Sequence, residues 1–115
     1  MPKVFGMHEI ELRPGVTPEE YEQFYNEELA SLPEFEGWKT HLLKGDRGER
    51  NGKFLLLFEI ESEAARDRYF PRPEEESEEV GRFLEQHPHA AAAWEKESDY
   101  LTEPYPRTDY VVVGG

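Results

Sequence analysis

The sequence predicts an α+β fold in which strands and helices follow one another in the order β-α-β-β-α-β. Three observations carry this. Two segments, 3–12 and 53–61, alternate apolar and polar residues or run apolar at strand length, with a loop of three glycines ahead of the second. Two others open on strong helix-start signals, Thr17-Pro18-Glu19-Glu20 and Ser62-Glu63. A β-branched run, Val111-Val112-Val113, closes the chain as a fourth strand.

Taken in order, Lys3 to Leu12 reads as the first strand, with Ile10 and Leu12 on one face and Glu9 and Glu11 on the other. Arg13-Pro14-Gly15-Val16 ends it with turn chemistry. Thr17 is then the N-cap of a helix, Pro18 its first residue and Glu20 the partner in a capping box. Tyr21, Phe24, Tyr25, Leu29 and Leu32 recur at helical spacing until Pro33. The second strand is Gly37 to Lys44, followed by a hairpin loop, Gly45 to Gly52, that contains an Asn-Gly pair and four charges. The third, Lys53 to Glu61, is the most apolar and is expected at the centre of the sheet, buried on both faces.

Ser62 caps a second helix over Glu63 to Phe70, which Pro71-Arg72-Pro73 interrupts because each proline removes a donor and restricts its predecessor. The pattern predicts renewed helix over Glu74 to Gln86, with Val80, Phe83 and Leu84 apolar. A break at Pro88 follows, then a last turn or two over Ala90 to Lys96. Residues 98–108 show little regular pattern before the final strand, Asp109 to Val113. No repeat or linker divides the chain, so residues 1–115 are expected to form a single domain. The order is the split βαβ, or ferredoxin-like, arrangement: a four-stranded antiparallel sheet with helices on one face.

Composition narrows the function. With 26 acidic against 13 basic residues and a net charge of −13, the chain lacks the cationic surface that a sequence-independent grip on nucleic acid or an anionic membrane requires. No apolar run approaches the length of a membrane span. Cysteine is absent, which removes disulfides, thiolate metal sites and cysteine nucleophiles. The chain opens Met-Pro-Lys directly into strand pattern, and the expected location is cytoplasmic. Phosphate-binding loops, dinucleotide fingerprints and nucleophile elbows are missing, so no cofactor is expected. His87-Pro88-His89 has His-x-His spacing with Glu85 nearby, but it reads as a helix terminus, and no metal is expected.

Several segments resemble the dimeric α/β-barrel superfamily: Ile10-Glu11-Leu12-Arg13-Pro14-Gly15, Gly37-Trp38-Lys39-Thr40-His41-Leu42-Leu43, and Phe54 to Ser62 with Glu63-Ala64-Ala65. That superfamily includes antibiotic-biosynthesis and haem-degrading monooxygenases, the EthD and NIPSNAP families and stress-responsive barrel proteins. The resemblance spans about the first 70 residues. It implies a homodimer whose sheets face each other to form a barrel, with a pocket between sheet and helices or inside the barrel. Haem-degrading relatives typically carry an Asn on the first strand, a Trp closing the third and a His on the second helix. The matching places here read His8 or Glu9, Ile60 and Tyr69, against haem degradation.

Edge physics points to the same dimer, because Tyr110-Val111-Val112-Val113 would be a sticky free edge, and Phe5, Met7, Leu55 and Leu57 need cover. If Ile10, Leu12, Leu56, Phe58 and Ile60 face the helices, Glu9 and Glu59 look into the barrel with His41. Two neighbouring buried carboxylates would repel, leaving one protonated near neutral pH as an acid or base. The competing reading puts these groups at a solvated mouth or pairs them with Lys39. His8 reads as a core or seam histidine. The expected catalytic residues are therefore His41, Glu9 and Glu59, and the expected substrate-binding residues Phe5, Met7, Leu55, Leu57 and Trp38. Two functions fit. One is a cofactor-independent monooxygenase, isomerase or dehydratase acting on a small aromatic or polyketide-like molecule. The other is a non-catalytic, stress-responsive or ligand-binding dimer.

Overall fold

The computed structural model describes residues 2–114. Its strands are β1 (Val4–Ile10), β2 (Trp38–Lys44), β3 (Phe54–Ile60) and β4 (Arg107–Val111). The helices are α1 (Pro18–Phe24), α2 (Glu63–Tyr69), α3 (Glu78–Gln86) and α4 (Pro88–Glu97). The four strands form one antiparallel sheet in the order β2-β3-β1-β4, so the expected architecture holds, with β2 and β4 at the edges.

The helix starts form as the sequence chemistry dictates. Thr17 Oγ1 accepts the Glu20 N–H at 3.2 Å and Ser62 Oγ accepts the Ala65 N–H at 3.1 Å, each satisfying a donor that no helical carbonyl can reach. Beyond Phe24 the first helix widens into a π-helical stretch, Tyr25–Leu29, and stops short of Leu32. In the hairpin loop Gly45 is obligatory, because a Cβ there would stand 1.9 Å from the Arg50 carbonyl oxygen.

Four boundaries differ from expectation. Helix does not resume at Glu74, whose φ of +63° is left-handed; Arg72 and Glu75 bridge instead and α3 starts at Glu78. Ser77 does not cap α3 but donates its hydroxyl to the Arg68 carbonyl at 2.6 Å, satisfying the open end of α2. Pro88 both ends α3 and supplies the first residue of α4, which is ten residues long rather than a turn or two. β4 runs from Arg107 to Val111, two residues earlier than the sequence suggests, and β1 stops at Ile10 while Leu12 bridges Leu101.

The irregular segment after α4 is held by long-range backbone bonds. Arg13 N–H donates to Tyr100 O at 2.9 Å and Thr102 N–H to Glu11 O at 2.8 Å, which lays Leu101 into the core with no exposure. Strand alternation puts Val4, Ile10, Leu56 and Ile60 under the helices. Two apolar clusters form there, one around Val4, Phe35, Trp38, Ile60, Tyr69 and Val80, the other around Ile10, Tyr21, Phe24, Phe54, Leu56 and Leu101. β3 is central but not buried on both faces: Phe54, Leu56 and Ile60 are buried, whereas Leu55, Leu57 and Glu59 on the opposite face are half-exposed.

Candidate functional site

A cavity of about 720 Å³ lies between the sheet and the helices. It draws Phe35, Trp38 and Val80 from the first apolar cluster, Leu56 from the second, and Tyr25 and Leu29 from the margin of the second. The two clusters do not merge into one core, and the gap between them is the cavity. Trp38 is locked in its wall by an indole N–H bond to Ala65 O at 3.1 Å.

The polar groups of the wall come from β1, β2, α2, α4 and β4 and from the loops that hold Glu34 and Arg72 to Glu76. Register pairs His8 with Arg107 and Gly6 with Asp109, so all four positions share the helix-facing side of the sheet. The Arg107 guanidinium lies among the rings of Trp38, Phe58 and Phe70, 5.5, 5.9 and 5.2 Å from their centroids. Its Nε is 2.8 Å from Asp109 Oδ1, a charge contact rather than an aligned hydrogen bond, while Arg66 reaches Asp109 Oδ2 at 3.5 Å. Gly6 makes room for this pair, since a Cβ there would come within 2.9 Å of both Arg107 Cδ and Asp109 Oδ1.

His8 Nδ1 is 2.7 Å from the Tyr105 carbonyl oxygen. Burial pulls the His8 pKa below its ordinary value and the Arg107 charge adds to this, against the opposing pull of the Tyr105 bond. Glu97, the last residue of α4, also borders the cavity, and its Oε2 accepts the Tyr21 hydroxyl at 3.0 Å. Burial raises the Glu97 pKa, only partly offset by Tyr21, and the same burial with the Glu97 charge raises that of Tyr21 strongly.

Of the residues expected from sequence, Trp38 alone lines this cavity. Phe5, Met7, Leu55, Leu57, Glu9, His41 and Glu59 all lie on the opposite, helix-free face. There His41 Nε2 and Glu59 Oε1 are 3.2 Å apart, a diagonal cross-strand contact, and Lys3 Nζ is 2.6 Å from Glu59 Oε2. Lys39, directly opposite Glu59 in register, is not its ion partner.

The expected carboxylate pair does not form. Glu9 stands opposite Leu55, four residues from Glu59, or about 13 Å at roughly 3.3 Å per residue. Glu9 lies 3.7 Å from Arg50 instead. The Lys3 and His41 bonds hold Glu59 below the usual carboxylate range, opposite in direction to the protonated acid anticipated.

Sequence reading passed over Glu97, Tyr105, Arg107 and Asp109. The last two carried a usable signal, because Arg-x-Asp at alternate positions of a strand puts both charges on one face. Among the described residues no three His, Asp or Glu side chains gather in a way that would hold a metal ion. No described helix is long and apolar enough to cross a membrane.

An antiparallel β2-β3-β1-β4 sheet with helices over one face defines a ferredoxin-like protein. Solved structures of that description match along nearly the whole chain. A dimeric protein of unknown function and ferredoxin-like fold from Bacteroides fragilis NCTC 9343 is 18% identical with a TM-score of 0.55, over 96% of this chain and 96% of that one. A dabb family protein with a ferredoxin-like fold from Mesorhizobium loti MAFF303099 is 16% identical with a TM-score of 0.54, over 99% and 100%. A dimeric ferredoxin-like protein of unknown function from Thermobifida fusca YX is 15% identical with a TM-score of 0.50, over 96% and 92%. At such identities the likeness establishes the fold. No protein-family model matches the chain, and no curated protein does.

Proposed function

We propose that the protein binds a small, partly aromatic molecule in the cavity between sheet and helices, and that it does so as a homodimer joined through the helix-free sheet faces. The cavity carries this reading. Its volume of about 720 Å³ lies within the range of roughly 300–1,000 Å³ typical of small-molecule sites, and its wall combines aromatic rings with a few convergent polar groups. The dimer is supported by the apolar residues left on the helix-free face and at the β4 edge, where Leu43 is 45% and Tyr110 55% exposed. Two of the three similar folds named above are described as dimeric.

The test is a thermal-shift screen with benzoate, salicylate, acetophenone, 1-indanone and 1-naphthol. At one hundred times Kd a bound probe stabilises by about 2.7 kcal/mol. A cavity ligand therefore raises Tm, and Thr40→Phe, which fills the cavity wall, abolishes the rise. A panel without effect, or a rise that Thr40→Phe leaves intact, contradicts the proposal.

A second reading rests on the 3.2 Å His41–Glu59 contact. In such a dimer these groups and Lys3 would lie between the two sheets, where Phe5, Met7, Leu55 and Leu57 offer an apolar surround. His41→Ala would then remove ligand stabilisation while leaving fold and dimer intact.

A further inference from the structure

Two titratable side chains in the cavity wall have no structural task that explains both of their ends. His8, on β1, bonds through Nδ1 to the Tyr105 carbonyl, which can only accept. Nδ1 therefore carries the proton. With the ring held neutral by burial and by Arg107, Nε2 keeps its lone pair, and no group among the described residues bonds to it. Glu97 presents the complementary arrangement. Its Oε2 accepts the Tyr21 hydroxyl, while Oε1 has no hydrogen-bond partner among the described residues. Burial keeps its proton on to higher pH than an ordinary glutamate would hold it.

Tyr105 ties the two together. Its carbonyl orients His8, and its phenol, which borders the same cavity, has its pKa raised by burial and then by the Glu97 charge. Both side chains belong to one cavity whose remaining wall is rich in aromatic rings, among them Phe35, Trp38, Phe58 and Phe70.

Resting on the cavity reading, we propose that His8 and Glu97 are the proton acceptor and proton donor for a small aryl ketone, which they interconvert between keto and enol forms. The acceptor demands a substrate with an acidic hydrogen, the donor one with a carbonyl oxygen, and the rings one with a flat apolar body. Nε2 of His8 takes a proton from the carbon next to the carbonyl. The electron pair of that C–H bond becomes the C=C bond, and the carbonyl π pair takes the Glu97 proton to form the enol hydroxyl. The imidazolium and carboxylate so formed are restored when the enol returns to ketone. No oxidant or cofactor enters.

The experiment follows deuterium uptake at C2 of 1-indanone in D2O by NMR, with binding of the same probe measured by saturation transfer. The protein is expected to accelerate uptake over buffer. Glu97→Gln and His8→Gln should each cut the acceleration about 100-fold while 1-indanone still binds. Melting curves establish that the variants fold. Should His8→Gln fail to fold, the near-isosteric Glu97→Gln decides. Binding without accelerated uptake overturns the proposal and leaves the cavity reading standing, as does stabilisation by other probes of the panel but not by 1-indanone. Unchanged uptake in Glu97→Gln overturns it as well. If no probe binds at all, the cavity reading fails with it.

Discussion

Tyr21→Phe removes one oxygen from a side chain that is fully buried and whose hydroxyl donates to Glu97 at 3.0 Å. The ring contacts to Phe24, Phe54 and Tyr100 survive, so the loss isolates the hydrogen bond. A neutral bond contributes about 1 kcal/mol and one to a charged partner about 1.5–3 kcal/mol. At about 2.1 cal/mol/K of unfolding entropy per residue, a chain of 115 residues loses about 4 °C of Tm per kcal/mol. The variant is therefore expected to melt about 4–12 °C lower, at fixed protein concentration because of the proposed dimer. The sign with pH follows from the cause. The Tyr21 bond favours ionised Glu97, so the cost of losing it is largest where Glu97 is ionised and shrinks as the pH falls and the carboxyl takes up its proton. Scanning calorimetry at pH 8 and pH 5 measures both. A Tyr21→Phe variant as stable as the parent at pH 8, or one whose deficit grows on acidification, would refute the reasoning.

Gly6→Ala should lower Tm by about 4–12 °C, the 1–3 kcal/mol typical of overpacking, because its Cβ collides with Arg107 and Asp109; it should also weaken probe binding, and a fully tolerated alanine contradicts the tight approach. Glu59 is held below the usual carboxylate range by Lys3 and His41, so this contribution is complete above the unfolded carboxyl pKa and is lost as pH falls through the lower folded value. Lys3→Met should accordingly move acid unfolding, followed by circular dichroism, to higher pH; an unmoved or lowered midpoint counts against it. Leu57→Glu, which puts a charge in the middle of the helix-free face, should convert a dimer to a monomer in sedimentation equilibrium. A parent that sediments as 13.5 kDa contradicts the dimer outright.

The fold was legible because its signals are local. Thr17-Pro18 and Ser62-Glu63 act within a few residues and start their helices as expected, and the alternation of Glu9 with Ile10 sets the faces of β1, although the strand ends before Glu11 and Leu12. Alternation also assigned His41, Glu9 and Glu59 to one face correctly. A period of two tells a side chain's side, however, not its position along the strand, and the separation of Glu9 from Glu59 lies in the β1–β3 register. The cavity residues were hidden for a related reason. Tyr100 to Tyr105 carry no periodic pattern because their backbone pairs with Glu11 and Arg13, some 90 residues away in sequence. Likewise Glu97 faces inward only because α4 starts at Pro88 and runs its full ten residues.

The claim that a ligand occupies the space between sheet and helices is tested most directly by the side-chain 1H–15N spectrum during titration with 1-indanone or the best probe of the panel. The imidazole of His8 and the indole N–H of Trp38 border the cavity, whereas the imidazole of His41 lies on the other side of the same sheet. The account predicts saturable shifts at His8 and Trp38 with His41 unmoved. Shifts at His41 that leave His8 and Trp38 in place would put the ligand on the helix-free face and contradict it.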